Sequence, residues 1–257
     1  MALLAADIGN AHTVLGLLAD GEVGAHWRVS TDARRTADEW AVLLRGVLGE
    51  ALQQVDGVAV CSTVPSVLNE WREMLQANFA DLPSVIVEPG VRTGIPIHVD
   101  NPREVGSDRI INALAATDIA VPAIVVDFGS TATTFDVVDG SGRYVGGAIT
   151  PGIEVSLAAL SRAGAQLRQV ELVRPRGVIG KNTVEALQSG MVFGVASLVE
   201  GMVARLAEAL GADGPVAVIA TGYLAPLVID ECSCFTAHRP LLTLEGLAKV
   251  FARNAGR

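Results

Sequence analysis

Apolar and polar positions along this chain fall into blocks whose order repeats. Residues 3–7 and 13–18 are apolar runs on either side of a Gly-Asn turn, and residues 22–29 alternate after the turn Ala19-Asp20-Gly21, so the pattern predicts three consecutive strands at the start. Thr36 followed by Glu39 has capping-box form, and Trp40, Leu43, Leu44, Val47 and Leu48 recur at helical spacing. A buried strand over 58–61, an amphipathic helix over 66–78 and a strand over 84–87 come next. A loop holding Gly94, Pro96 and Pro102 then leads to a helix that opens near Ser107 and Asp108.

The second half returns to the same order with insertions. Residues 123–127, 133–138 and 143–149 predict three strands, the last two joined by Asp139-Gly140-Ser141-Gly142. Helical segments are expected from about Pro151 and across 182–210, then a strand over 216–220 and a terminal helix from Thr243. Two copies of one supersecondary unit imply an α/β duplication, residues 1–120 forming one lobe and 121–257 the other, with a ligand cleft between them. The junction near 120–122 is short and is not a Gly/Ser/Pro linker, so tightly packed lobes are expected.

The chemistry gathers where strands end. "LLAADIGNAHTVLGLL" and "VVDFGSTATTFD" share one plan: an apolar run ends in Asp-x-Gly, small polar residues follow, and a second apolar run begins. A sharp turn of this kind presents several backbone N–H groups in one concavity, which suits phosphate oxygens, and a strand-end aspartate can orient a cation. One such hairpin would be an ordinary turn; the repetition points to a polyphosphate held by both. A third strand end, Thr221-Gly222-Tyr223, is either a plain strand-to-helix turn or a wall against which a nucleoside ring packs. Gly177-Val178-Ile179-Gly180-Lys181-Asn182 has too few residues between its glycines for a P-loop, and no strand leads into G-x-G-x-x-G.

Asp108 and Arg109 follow Gly106 and Ser107 at a predicted helix start. Asp108 there is either a cap favoured by the helix dipole or a base that orients and deprotonates a hydroxyl. Arg109 beside it offers a two-toothed grip on a carboxylate, so an anionic alcohol suits the pair. Phosphoryl transfer depends more on positioning than on base strength, and an ionised, low-pKa aspartate is adequate for it. The four histidines show no ligand spacing or triad; His12 lies beside the first hairpin.

Composition narrows the classes. Half of the 257 residues are hydrophobic, enough for a filled core, and apolar stretches are broken by Asp or Gly before they reach bilayer length, so no membrane partner is expected. Residues 1–20 lack a basic leader and hold Asp7 inside the apolar run, which predicts a cytoplasmic protein. The formal charge of −9 argues against nucleic acid. Three cysteines are too few for a disulfide framework; Cys232 and Cys234, with His238, are either thiols of a late strand or loop or an incomplete metal set.

These segments, in this order, resemble the superfamily of acetate and sugar kinases, heat-shock chaperone ATPases and actin, and within it the type III pantothenate kinases, over nearly the whole chain. "DIGNAHTVLGLL" is similar to that family's first phosphate motif and "NPREVGSDRIINALAA" to its substrate and catalytic motif. "VVDFGSTATTFDVVD" resembles its second phosphate motif, and "GGAITPGI" and "IGKNTVEALQSG" its later segments. The resemblance implies a duplicated ribonuclease H-like fold, two lobes each with a mixed sheet flanked by helices, and ATP-dependent phosphorylation of pantothenate to 4'-phosphopantothenate on the way to coenzyme A. It makes Asp108 the catalytic base and Gly106, Ser107, Asp108 and Arg109 the pantothenate segment. It makes Asp7, Ile8, Gly9, Asn10, Ala11, His12, Thr13 and Val14 the ATP phosphate loop, with Mg2+ near Asp7. Gly129, Ser130 and Thr131 join the ATP contacts, Asp127 becomes the ligand of a monovalent cation (K+ or NH4+), and Thr183 a pantothenate contact reaching across a homodimer interface. The apolar run over 191–198 would serve that interface or, equally, the core.

Three positions depart from the family pattern. Ala11 stands where a threonine is usual, Ser130 lengthens the span from Asp127 to Asp136 by one residue, and Val99 replaces a substrate-site tyrosine. An added residue inverts strand facing unless a bulge absorbs it. The reading these departures leave open is a weakly active or non-catalytic nucleotide-binding homologue acting as a regulatory accessory protein; a small sugar kinase of the same superfamily is a further reading, disfavoured because such enzymes commonly carry longer insertions for which this chain has little room.

Overall fold

In the computed structural model, residues 1–163, 170–212 and 214–255 are described. The opening strands form as a meander: β1 (Ala2–Ile8), β2 (His12–Ala19) and β3 (Glu22–Ser30) pair antiparallel. The capping box forms at α1 (Ala37–Leu48), where the Thr36 hydroxyl accepts from Glu39 N and the Glu39 carboxylate accepts from Thr36 N. Then follow β4 (Val55–Ser62), α2 (Pro65–Asn78), β5 (Ser84–Ile86) and α3 (Ser107–Ala116). The sheet order is β3-β2-β1-β4-β5, with β1, β4 and β5 parallel.

Because β1 is central, both of its faces are covered and its residues read as one apolar run. Leu4, Ala6 and Ile8 join Trp40, Leu44, Trp71 and Met74 in the core under α1 and α2. The opposite face is covered by the last helix, α8 (Leu242–Asn254), whose Leu244 lies against Gly16 and whose Phe251 ring lies against Gly57.

The second unit repeats the plan. Strands β6 (Ala123–Phe128), β7 (Ala132–Val138) and β8 (Tyr144–Pro151) form the meander, followed by α4 (Ile153–Ala163) and α5 (Thr183–Ser189). A π turn over Gly190–Gly194 joins α5 to α6 (Val195–Leu210), and β9 (Ala217–Thr221), α7 (Ala225–Val228) and the two-residue β10 (Ala237–His238) complete the unit. Its sheet order, β10-β9-β6-β7-β8, matches the first in connectivity, so the chain has the duplicated ribonuclease H-like fold. Phe128, Phe135, Val137, Val199 and Val203 fill its core.

The structure differs from the sequence reading in three places. The compact units are Met1–Ile95 with Asp100–Ala115 and Leu241–Arg257, and Pro96–Val99 with Ala116–Pro240, rather than the contiguous halves 1–120 and 121–257. The reason is the apolar face of α8, which covers the first sheet. Second, the expectation that no apolar stretch reaches bilayer length is corrected: the continuous helix Thr183–Leu210 has 28 residues, and an 18-residue stretch of it has a mean hydropathy of 1.5, long and apolar enough to cross a membrane by length and composition. It packs Ala196, Val199 and Val203 inward and leaves Val184 and Leu198 exposed. Third, the residue added at Ser130 neither bulges nor inverts a strand, because it sits in the turn. The β6–β7 ladder runs without a shift from Ala123 opposite Val138 to Phe128 opposite Thr133.

Candidate functional site

The two Asp-x-Gly hairpins are built to one geometry. Asp7 pairs with Val14 and Ile8 with Thr13; Asp127 pairs with Thr134 and Phe128 with Thr133. Adding 120 to a residue number in the first hairpin gives its counterpart in the second, and each turn spans four residues, 9–12 and 129–132. A Cβ on Gly9 would lie 3.1 Å from His12 O, and one on Gly129 would lie 2.9 Å from Ala132 O. The residue just past the third strand braces each turn at the same place: Thr31 N donates to Ala11 O and Gly152 N to Thr131 O, both at 2.9 Å. Ala11 therefore matches Thr131, and the hydroxyl absent from the first turn is present in the second.

In the first unit, three chain segments converge at the C-terminal end of β1. Thr63 N donates to Ile8 O (3.1 Å), the Ser62 hydroxyl contacts the same carbonyl, and the Ser107 hydroxyl donates to Ser62 O (3.3 Å), which fixes the start of α3 at the end of β4. Thr13 Oγ1 lies 2.8 Å from Thr31 Oγ1, and Thr13 is buried. His12, Asn10 and Ala11 line the turn, and Val14 continues into β2.

Cys61, read from sequence only as a buried strand residue, belongs to this group. It pairs with Asp7 across the parallel β1–β4 ladder, and its thiol lies 3.4 Å from Asp7 Oδ1. Burial pushes the thiol's pKa well above its ordinary value, and the nearby charges of Asp7 and Asp108 push it further. Spacing along the chain gives no signal for this contact, since the partners are 54 residues apart.

Asp108 lies in the first turn of α3, and its Oδ1 is buried without a hydrogen-bond partner among the described residues. A Cβ at Gly106 would come within 2.5 Å of that oxygen, so the carboxylate folds back over the helix start into space that glycine leaves. In place of the low-pKa aspartate expected from sequence, burial raises the Asp108 pKa; the backbone N–H and the charge of Arg109 oppose the shift without cancelling it. A plain cap would have both oxygens engaged or solvated, and a buried acceptor with an open lone pair is a site awaiting a donor. Arg109 is half-buried beside it.

In the second unit, Asp127 stands at the end of β6 against Gly222, which follows β9 with φ of 87°. A side chain at 222 would collide with the Asp127 carboxylate and with Phe128 N and O, each 2.7 Å away. The strand end and the turn after β9 are thus in direct contact, and Leu224 N donates to Phe128 O at 3.4 Å. The Tyr223 hydroxyl donates to Glu154 Oε2 (2.6 Å), tying this turn to α4. Ser130 and Thr131 are held by Gly152 and by Val155 N, which donates to Ser130 O at 3.3 Å.

Val99 packs 3.8 Å from the Cβ position of Gly146, at the end of a segment that Tyr144 anchors through Tyr144 N to Pro96 O and His98 N to Tyr144 O. Tyr144 itself donates to the buried Asp136 at 3.1 Å. Thr183 is exposed at the first position of α5, which Asn182 caps by accepting from Glu185 N at 2.9 Å. Cys232 and Cys234 lie in the loop before β10, half-buried, and among the described residues no group of three or more His, Cys, Asp or Glu is placed to hold a metal.

Comparison with known proteins shows the family. A family model described as type III pantothenate kinase matches residues 3–205. A protein of that name from a Nocardioides species is 68% identical over 257 residues, covering 99% of this chain and all of that one. Another from Streptomyces griseus is 58% identical over 264 residues, covering 99% of each. Among solved structures, the activator of 2-hydroxyisocaproyl-CoA dehydratase from Clostridium difficile, with bound ADPNP, aligns with a TM-score of 0.60 at 14% identity, covering 100% of this chain and 96% of that one. The ROK hexokinase from Thermus thermophilus aligns with a TM-score of 0.52 at 14% identity, covering 97% and 98%. These distant likenesses show the fold.

Proposed function

Because this chain belongs to the type III pantothenate kinase family, we propose that it transfers the γ-phosphoryl group of ATP to the terminal hydroxyl of pantothenate, giving 4'-phosphopantothenate for coenzyme A synthesis. The observation that carries the assignment of the base is the buried, unpartnered Oδ1 of Asp108 at the start of α3. Asp108 accepts the hydroxyl proton as the oxygen attacks the γ-phosphorus; the new O–P bond forms as the bond to the β–γ bridging oxygen breaks, and ADP leaves with that electron pair. Arg109 holds the pantothenate carboxylate, with Ser107, Gly106 and Val99 beside the substrate.

Residues of the turn 9–12, with Asp7, Thr13 and Val14, take the phosphates of ATP, as do Gly129, Ser130 and Thr131; Gly222 offers open main chain to the nucleoside. Asp7 suits Mg2+, a hard cation that takes one or two carboxylates together with substrate phosphates, and Asp127 suits a monovalent cation, K+ or NH4+. Such ions supply neutralisation of phosphate charge when bound. Homodimerisation through the face bearing Val184 and Leu198, which would bring Thr183 to a partner's substrate, fits the exposure of those side chains. Cytoplasmic placement fits the three free thiols.

A coupled ADP-release assay with pantothenate, MgATP and K+ tests the reading. Turnover is expected, and Asp108→Asn should lower kcat by about 10²- to 10⁴-fold. Nucleotide binding by calorimetry without any turnover would favour the accessory-protein reading instead, and turnover on a hexose in preference to pantothenate would favour the sugar-kinase one.

A further inference from the structure

Helix α3, which carries Asp108, is contacted by α8, a segment beyond the residues that the family model matches. The Thr243 hydroxyl donates to Asn112 Oδ1 at 2.8 Å, and both residues are buried, at 8% and 1% exposure. Three residues further along, Gly246 lies against the main chain of Ile111, where an added Cβ would sit 2.6 Å from the Ile111 carbonyl oxygen. Residues three apart share a helix face, so one stripe of α8 makes both contacts.

Asn112 is four residues after Asp108, one helical turn along the same face of α3. A polar tie at 112 therefore sets the rotation of α3 about its axis, and the close approach at Gly246 sets its distance from α8. Rotation and distance together determine where the Asp108 carboxylate points. A buried hydroxyl-to-amide bond is directional where apolar packing is not, so it selects one rotation among several that would bury the same area.

We infer that Thr243 is a positioning residue for the phosphoryl-transfer step, acting through Asn112 on the aim of Asp108, with Gly246 fixing the helix spacing. This rests on the assignment of Asp108 as the base. A misplacement of about 1 Å at a reacting group costs on the order of 10²-fold in rate, so a small helix rotation is measurable.

The test uses the full chain with Thr243→Val, which keeps the shape and removes the donor, and Thr243→Ser, which keeps the donor. Each is made alone and with Asp108→Asn. We expect Thr243→Val to lower kcat by about 10- to 100-fold with KM for MgATP unchanged, and Thr243→Ser to stay within about twofold of the parent. With Asp108→Asn already present, Thr243→Val should lower the residual rate no further, because its effect passes through that carboxylate. A full additional loss in the Asp108→Asn background, or an unchanged kcat in Thr243→Val, overturns the inference. Amide hydrogen exchange supplies a readout independent of turnover: faster exchange in Thr243→Val confined to α3 and its contact on α8 supports the tie, and unchanged exchange there overturns it. Absence of pantothenate phosphorylation by the parent chain would overturn the functional reading separately and leave the tie to the exchange result.

Discussion

The thiol of Cys61 lies 3.4 Å from Asp7 Oδ1, across the one pair of parallel strands that brings the first hairpin beside the helix carrying Asp108. A neutral S–H donates there, whereas a thiolate would face two carboxylates in a buried setting. Burial first, then Asp7 and Asp108, hold the thiol's pKa well above its ordinary value. The folded chain therefore keeps Cys61 protonated where an unfolded chain would ionise it, and the stabilisation from that proton is lost as pH climbs beyond the ordinary thiol value of 9.0.

Cys61 should accordingly resist alkylation. At pH 8, iodoacetamide should leave the Cys61 peptide unmodified in the native chain and modify it fully in urea, read by mass spectrometry of the digest. Cys232, whose pKa burial pushes up to about 12, and the half-buried Cys234 should react slowly but ahead of Cys61. Native labelling of Cys61 at the rate of a free cysteine would contradict the geometry.

Gly222 makes a second, independent claim on the site. Its φ of 87° is costly for any other residue, and a side chain there would meet the Asp127 carboxylate and the Phe128 main chain. Gly222→Ala combines backbone strain with overpacking, and we expect a loss of about 3 kcal/mol in stability by urea unfolding. On the proposed assignment of Asp127 to a monovalent cation, its displacement should also weaken any stimulation of turnover by K+. A midpoint within error of the parent would show that the turn after β9 gives way without cost.

Local signals were legible in the sequence and long-range ones were not. Thr36 and Glu39 announce their capping box because both partners lie within one turn of helix. The hairpins at Asp7 and Asp127 are legible for the same reason: Asp, Gly and the following strand lie within a few residues. Ser130, by contrast, reads from sequence as an added residue with an uncertain effect on facing. Only the pairing of Phe128 with Thr133 shows that the turn takes it up and equals the first turn in length. The membership of α8 was hidden because its heptad-like apolar face would suit either sheet. Gly16 and Gly57, whose bare backbones admit Leu244 and Phe251, decide the matter, and no pattern along the chain links them to those partners. The contacts of Cys61 with Asp7 and of Thr243 with Asn112 carry no signal along the chain for the same reason, since the partners are remote in sequence.

On the proposed assignment of Asp108 as the base, its raised pKa ties activity and stability to the same proton. Burial is the leading cause of the shift, so the folded state holds this proton more tightly than the unfolded chain, whose carboxyl titrates near 3.8. The resulting contribution to stability is complete below 3.8 and is lost as pH rises through the higher folded value, above which the buried charge works against folding. Asp108→Asn removes that charge and should raise the urea midpoint at pH 7, while the two proteins should converge at a pH below 3.8, where both side chains are neutral. With Asp108 as the proposed base, catalysis runs the opposite way, because a protonated acid accepts no proton from the substrate. The kcat/KM of the parent should fall as pH drops through the folded pKa of Asp108, and the residual rate of Asp108→Asn should lack that acid limb. Paired urea titrations and pH–rate profiles of the two proteins check both arms. A variant less stable than the parent at pH 7 would mean that the carboxylate is a structural cap, with its charge favourable at the start of α3.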